Sequence, residues 1–267
     1  MSQALKSSTI NPFLFMKIKQ LGIVSGVALA TLVTASAAQA ALVVVPPGLN
    51  PGDQFRLVFV TSGTRNATSS NINDYNTFVT NQVTGSALAT ELTNAGFNLG
   101  TITWKAIGST PTVAARDNTG TNPSSTGVPI YLIDGNRVAN NNADLWDGSI
   151  QTPINRTQSD TVLNDRVWTG TNNSGLPEFN PLFPPGQFSL GGANSSSSIT
   201  NGQSNSTSLW VDDKVTFGIN SPLPLYGISS VLTVPTPAVS VPEPSSLLGF
   251  ITLGGLMLGG AVRKARK

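Results

Sequence analysis

Gln54-Phe-Arg-Leu-Val-Phe-Val-Thr61 is the stretch from which the fold of this chain is read. Its β-branched and aromatic residues suit a pleated, packed surface, and the run reads as a strand. Working outward, Thr64 to Asn73 is a polar loop, and Asn73-Asp-Tyr-Asn-Thr-Phe-Val-Thr80 starts a helix, with Asn73 as the N-cap and apolar residues at 75, 78 and 79. Leu88 to Phe97 extends that helix or pairs with it. Thr101-Ile-Thr-Trp-Lys-Ala-Ile107 alternates as a strand does, and Val113 to Asn118 is a short helix or extended segment. Pro129-Ile-Tyr-Leu-Ile-Asp-Gly-Asn-Arg-Val-Ala139 predicts two strands bent at Asp134-Gly135. Ala143-Asp-Leu-Trp-Asp-Gly148 reads as one short helix ended by glycine. Arg166-Val-Trp-Thr-Gly170 and Ser208-Leu-Trp-Val211 are short strands, Ser189 to Ser208 is a Gly/Asn/Ser-rich loop, and Leu223 to Val234 is the last strand. Short strands, long loops and a few helices make an α+β class, counted as one domain over residues 41–233.

Composition narrows what such a domain does. The 267 residues suffice for one sizeable domain or two small ones, and 39% hydrophobic residues allow a packed core. Charged residues are only 10%, far below the roughly 25% of ordinary soluble domains, so polarity rests on Asn, Thr, Ser and Gly. Of the 15 basic residues, seven sit at the ends (Lys6, Lys17, Lys19, Arg263, Lys264, Arg266, Lys267), leaving eight between them. Only Glu243 of the 13 acidic residues lies in the tail, so the middle carries about four net negative charges. A nucleic-acid surface needs its basic patch on the domain itself, and here the basic charge is at the termini. With no cysteine and no histidine, the chain has no disulfide, no Cys/His zinc site, no imidazole ligand, no thiol nucleophile and no Ser-His pair. No cofactor is expected.

Both ends read as targeting segments. From Met16 the chain gives a basic start, an apolar run from Leu21 to Val33 and a small-residue stop ending Ala38-Gln39-Ala40, the pattern of a signal peptide cleaved after Ala40. Initiation at Met1 merely lengthens the leader. At the other end a Pro-rich spacer, residues 234–241, precedes Pro242-Glu243-Pro244, then Ser245-Ser246, the uncharged stretch Leu247 to Val262, and Arg263-Lys-Ala-Arg-Lys267. At 1.5 Å per helical residue the apolar stretch covers about 24 Å of a hydrocarbon core near 30 Å. The two serines extend it, and the basic end snorkels to the headgroups and favours the cytoplasmic side.

This tail resembles the PEP-CTERM sorting signal of Gram-negative bacteria over about the last 27 residues, where motif, helix and basic cluster occur together. The resemblance implies an exosortase-type transpeptidase as partner, acting near Pro242, Glu243 and Pro244 on a membrane-held substrate. Arg263, Lys264, Arg266 and Lys267 would be the retention cluster. It also implies a cell-envelope or cell-surface location and an association with extracellular polysaccharide. Physically, two prolines hold the motif extended and outside the helix, where an enzyme can read it.

A second resemblance covers roughly residues 101–233. The order Thr103-Trp-Lys-Ala-Ile-Gly-Ser, Val128-Pro-Ile-Tyr, Asp144-Leu-Trp-Asp-Gly and Val167-Trp-Thr-Gly-Thr with Gly175, then a small-residue loop and a final strand, is similar to endostatin-type domains of the C-type-lectin-like fold. It implies a single C-type-lectin-like domain and transfers no site, because the cysteines, the histidines for zinc and the heparin-binding arginine cluster of those domains are missing here.

Candidate ligand residues are few. Trp210-Val-Asp212-Asp213 is similar to the Trp-Asn-Asp calcium signature of sugar-binding lectins, but it has no Glu-Pro-Asn or Gln-Pro-Asp partner. Calcium needs roughly six to eight oxygens, so an exposed turn is expected there. Asp144 and Asp147, three apart, are expected on one helix face, where a cap and a solvated charge explain them as well as a ligand pair does. Tryptophans at 104, 146, 168 and 210 are expected in the core; Trp146, beside two aspartates, is the choice for stacking on a sugar if exposed. The first and last gaps between the four tryptophans are both 42 and carry no repeat, since the flanking residues differ. Ser195 to Ser198 has no nucleophile-elbow glycines, and neither Lys105 nor Lys214 follows a Ser-x-x-Lys pattern. The expectation is an exported binding or structural protein without enzymatic activity. The alternative is an exported hydrolase using two carboxylates across a sugar.

Overall fold

Nearly every position of the strand Gln54–Val60 (β1) is buried, on both of its faces. Successive side chains of a strand point to opposite sides. Phe55, Leu57 and Phe59 enter one apolar core, and Val58 and Val60 enter a second. Arg56, in the even-numbered set, is accommodated because its guanidinium donates to the carbonyls of Thr119 and Ser229, both at 2.9 Å, and of Gly120 at 3.3 Å. Burial holds its pKa below the ordinary value.

The computed structural model describes residues 42–192, 198–213 and 216–236, all within one compact unit. After β1 come α1 (Ile72–Val83), α2 (Ala87–Asn94), a 3-10 turn (Leu99–Thr101), β2 (Trp104–Ala106), α3 (Ala115–Thr119), β3 (Ile130–Leu132), β4 (Arg137–Ala139), α4 (Asn142–Leu145), β5 (Arg166–Trp168), β6 (Ser198–Gln203), β7 (Thr216–Gly218), β8 (Tyr226–Ser229) and β9 (Leu232–Thr233). The class is α+β. The main sheet has the order β2-β8-β1-β3-β4, with β9 also on β1, and β5-β6-β7 form a smaller one. β1 and β3 are parallel, a pairing that needs a long crossover, supplied here by everything from α1 to α3. β8 and β9 return antiparallel to β1. The amide of Gly52 donates to the carbonyl of Val234 at 3.0 Å and that of Val234 to Asp53 at 2.9 Å. The domain therefore ends beside the start of β1, and its pairing runs through Val234.

α1 packs on the sheet with Ile72, Tyr75, Val79 and Val83 inward, the spacing of one helical face. Its N-cap is Asn71, whose side chain accepts from the amide of Asn73, so the cap precedes the predicted Asn73 by two residues. Gly227 sets how closely the helix approaches: a Cβ there would lie 2.6 Å from both Phe59 Cε1 and Val79 Cγ1. α2, capped by Ser86, buries Leu88, Ala89 and Leu92 in the same core. All four tryptophans are buried.

The predicted hairpin at Asp134-Gly135 forms, with β3 paired to β4, and β1 and β5 fall where expected. Three expectations are corrected. Residues 198–203 of the supposed small-residue loop are β6, the middle strand of the smaller sheet, with Ile199 to Gly202 buried. Ser208 to Val211 is not a strand but a bend; the carbonyl of Leu209 accepts from Gln203 across a tight return. Leu223 to Val234 divides into β8 and β9, which pair with successive halves of β1. The leader 1–40, Lys214, the spacer beyond Thr236, the triplet Pro242-Glu243-Pro244 and the basic cluster lie outside the described residues. Among the described residues no helix is long and apolar enough to cross a membrane.

Candidate functional site

The side of α1 that faces away from the core carries Asn73, Thr77, Thr80 and Asn81, all exposed. These positions recur at helical spacing, so they form one uncharged polar stripe. Opposite the stripe run Ile102, Thr103 and Lys105, with the edge of buried Trp104 beneath, and the space between is a groove of about 410 Å³. A neighbouring cleft of about 350 Å³ shares Thr80, Ile102 and Trp104 and continues over Val83, Ala89 and Leu99.

A part-buried amide pair holds the groove's two walls together. Asn76 Nδ2 donates to Asn118 Oδ1 and Asn118 Nδ2 donates back to Asn76 Oδ1, each at 2.9 Å. The same two side chains complete the edge of β2: Asn76 Oδ1 accepts from the amide of Ala106 at 2.9 Å, and Asn118 Nδ2 donates to its carbonyl at 2.8 Å. α1, β2 and α3 are thereby tied by groups whose loss would leave buried donors unpaired. The groove presents hydroxyls, amides, an indole edge and one ammonium from Lys105. Among the described residues no carboxylate lines it or the neighbouring cleft. Such a lining makes hydrogen bonds and apolar contact, and it offers no acid/base pair.

The residues singled out from sequence lie elsewhere. Trp146 is 5% exposed; its Nε1 donates to Thr121 Oγ1 at 3.0 Å and to the Thr121 carbonyl at 3.1 Å. Its ring packs 5.5 Å from that of Trp210. Gly175 closes over it, since a Cβ there would fall 2.8 Å from Trp146 Cδ2. The indole is core and presents no sugar platform. Asp144 and Asp147 do not share a helix face, because α4 stops at Leu145. Asp144 Oδ2 accepts from the amide of Asn140 at 2.6 Å and from Gln151 Nε2 at 2.8 Å, while its own amide donates to the Asn141 side chain. Asp147 is exposed and accepts from the Ser149 amide in a local turn.

Asp212 and Asp213 do not form an exposed turn: they are 1% and 8% exposed. Asp213 is drawn in by an ion pair with Arg166 of β5 and by Gln203 Nε2 of β6 at 2.8 Å. Arg166 also donates to Asn201 Oδ1 at 3.0 Å, and its guanidinium lies 5.0 Å from the Phe217 ring centre. This polar knot joins the three strands of the smaller sheet. Among the described residues no group of three acidic side chains is placed to hold a metal ion.

Two carboxylates do come together. Arg156 stands between Asp134 and Asp160, 3.6 Å from each. The guanidinium pairs with both carboxylates, and the trio ties the β3–β4 turn to the loop around residue 157. Asp160 has φ +61°. Burial raises its pKa, with Arg156 opposing and Asp134 adding to the rise.

No family model and no curated protein matches this chain. The groove was missed in the sequence because Asn and Thr carry no catalytic signature. The available signal was their recurrence at 73, 77, 80 and 81 on a helix whose apolar residues face the other way.

Proposed function

We propose that this protein is an exported component of the cell surface, sorted through its PEP-CTERM-like tail, that holds extracellular polysaccharide in the groove between α1 and β2. The observation that carries the binding reading is the lining: amide and hydroxyl side chains with one ammonium and no carboxylate. Sugar hydroxyls are matched by Asn73, Thr77, Thr80 and Asn81, and Lys105 suits an acidic or hydroxyl-rich unit of the polymer. The same lining disfavours the carboxylate hydrolase, whose two acids would have to face a cleft.

A lectin-like domain is part of this proposal. Its support is that the blocks read from the sequence at 104–106, 130–132 and 166–168 are strands, and that the last strands return onto the first. Affinity electrophoresis of the full chain, purified in detergent, through gels cast with extracellular polysaccharides tests the binding site. Thr77→Glu and Lys105→Glu, both on the groove's rim, are expected to abolish retardation by any polymer that slows the wild type. Equal retardation of wild type and both variants would move the site elsewhere.

A further inference from the structure

β1 gives the domain two ends. Gln54 pairs with Thr233 at one, and Val60 with Tyr226 at the other. The first end, where β1 starts and the chain leaves the domain, gathers Phe97, Leu99, Ile102, Val231 and Pro235. Leu99 is 40% exposed and Val231 is 42% exposed, and the other three are half-buried. They are contiguous. Ser230 donates its amide to Thr103 at 2.7 Å, Ile102 donates to Leu99 at 3.2 Å, and Pro235 packs over Gly96, where a Cβ would lie 3.5 Å away. An open cleft of about 520 Å³ runs among Phe97, Ile102, Val231 and Pro235, and among the described residues no charged one lines it. Nearby Asp53 turns its Oδ2 to the Asn50 amide at 2.7 Å.

The length of chain beyond this pole decides what it faces. Residues 237–246 separate Thr236 from the apolar stretch that begins at Leu247. At the polyproline II rise of about 3.1 Å per residue, ten residues reach about 31 Å, and the headgroup layer would take up about 5–8 Å of that. A tail inserted in the bilayer would thus hold the pole close above it, at a high effective concentration.

We propose that this pole docks on that lipid surface, with Leu99 and Val231 entering the headgroup layer. The inference rests on reading the tail as membrane-inserted. With no cation in the patch, docking needs no anionic lipid and is insensitive to salt. The groove beside α1 extends from Ile102 toward the middle of the sheet and stays in water.

The chain has no cysteine, so single labels are clean. Leu99→Cys, Val231→Cys and, as the opposite-pole control, Leu182→Cys each receive a polarity-sensitive fluorophore on the full chain, reconstituted in phosphatidylcholine vesicles. Leu182, 85% exposed, lies in the loop whose root donates from Gly191 to Ala67, beyond the far end of β1. Labels at 99 and 231 are expected to shift to the blue and to be quenched by spin-labelled lipid, unchanged in high salt, while the label at 182 reports water. If the chain co-floats with vesicles but 99 and 231 report water, or 182 alone is quenched, the docking is wrong and the anchor stands. A shift at 99 that vanishes as protein is diluted in the bilayer marks a second copy and also overturns docking. If the chain does not co-float, the anchor reading fails and the docking with it.

Discussion

Two buried side chains make the residue-scale account testable. The Tyr226 hydroxyl has no hydrogen-bond partner among the described residues, and burial pushes its pKa well above the ordinary value. An unpaired buried polar group costs about 1–3 kcal/mol, so Tyr226→Phe is expected to raise stability by about 1 kcal/mol in urea denaturation; a clear loss would reveal a partner. Asp160 gives a pH dependence. Its carboxyl is held above the ordinary value by burial first, so the fold favours the neutral acid. That contribution is complete below the unfolded-state value, about 4, and is lost as pH rises through the higher folded value. Asn also tolerates the left-handed backbone. The stability of Asp160→Asn relative to wild type is therefore expected to climb through that window and then level. Urea midpoints measured from about pH 3 to 7 check it; a constant difference contradicts it. Neither residue stood out in the sequence, because burial and orphaned oxygens are properties of packing, whereas Trp146 and Asp213 stood out by type and proved to belong to the core and to an ion pair.

At the level of elements, local chemistry was legible where the pattern was strong. β1 is apolar on both faces, the Asp134-Gly135 bend carries its own turn residues, and α1 shows apolar residues at helical spacing. β6 was not legible. Ser198-Ile-Thr-Asn-Gly-Gln203 has low strand propensity and is a strand because β5 and β7 flank it and Trp210 covers it. Gly202 shows the tightness of that cover: a Cβ there would collide with the Trp210 carbonyl. Gly202→Ala is expected to cost more than about 3 kcal/mol, as overpacking against backbone does, and to lower the thermal midpoint markedly. An unchanged midpoint would mean that the 203–210 return is looser than described. The groove belongs to this scale too, since it exists only where the Asn76–Asn118 pair holds α1 against β2.

The whole molecule is proposed to be a domain tethered at the pole where it ends, presenting an acid-free groove to a polymer. The tether is an expectation drawn from charge and hydropathy at the C-terminus. The groove was not legible in the sequence, because it is assembled from residues some thirty positions apart in sequence. A binding module and a hydrolase make opposite demands on the polymer, and one experiment reads both. The full chain is incubated with an extracellular polysaccharide that retards it, and the polymer's reducing ends and length are followed over time. The account predicts retardation by an intact polymer, with reducing ends at the level of the protein-free control. Progressive shortening of the polymer by wild-type protein would contradict it.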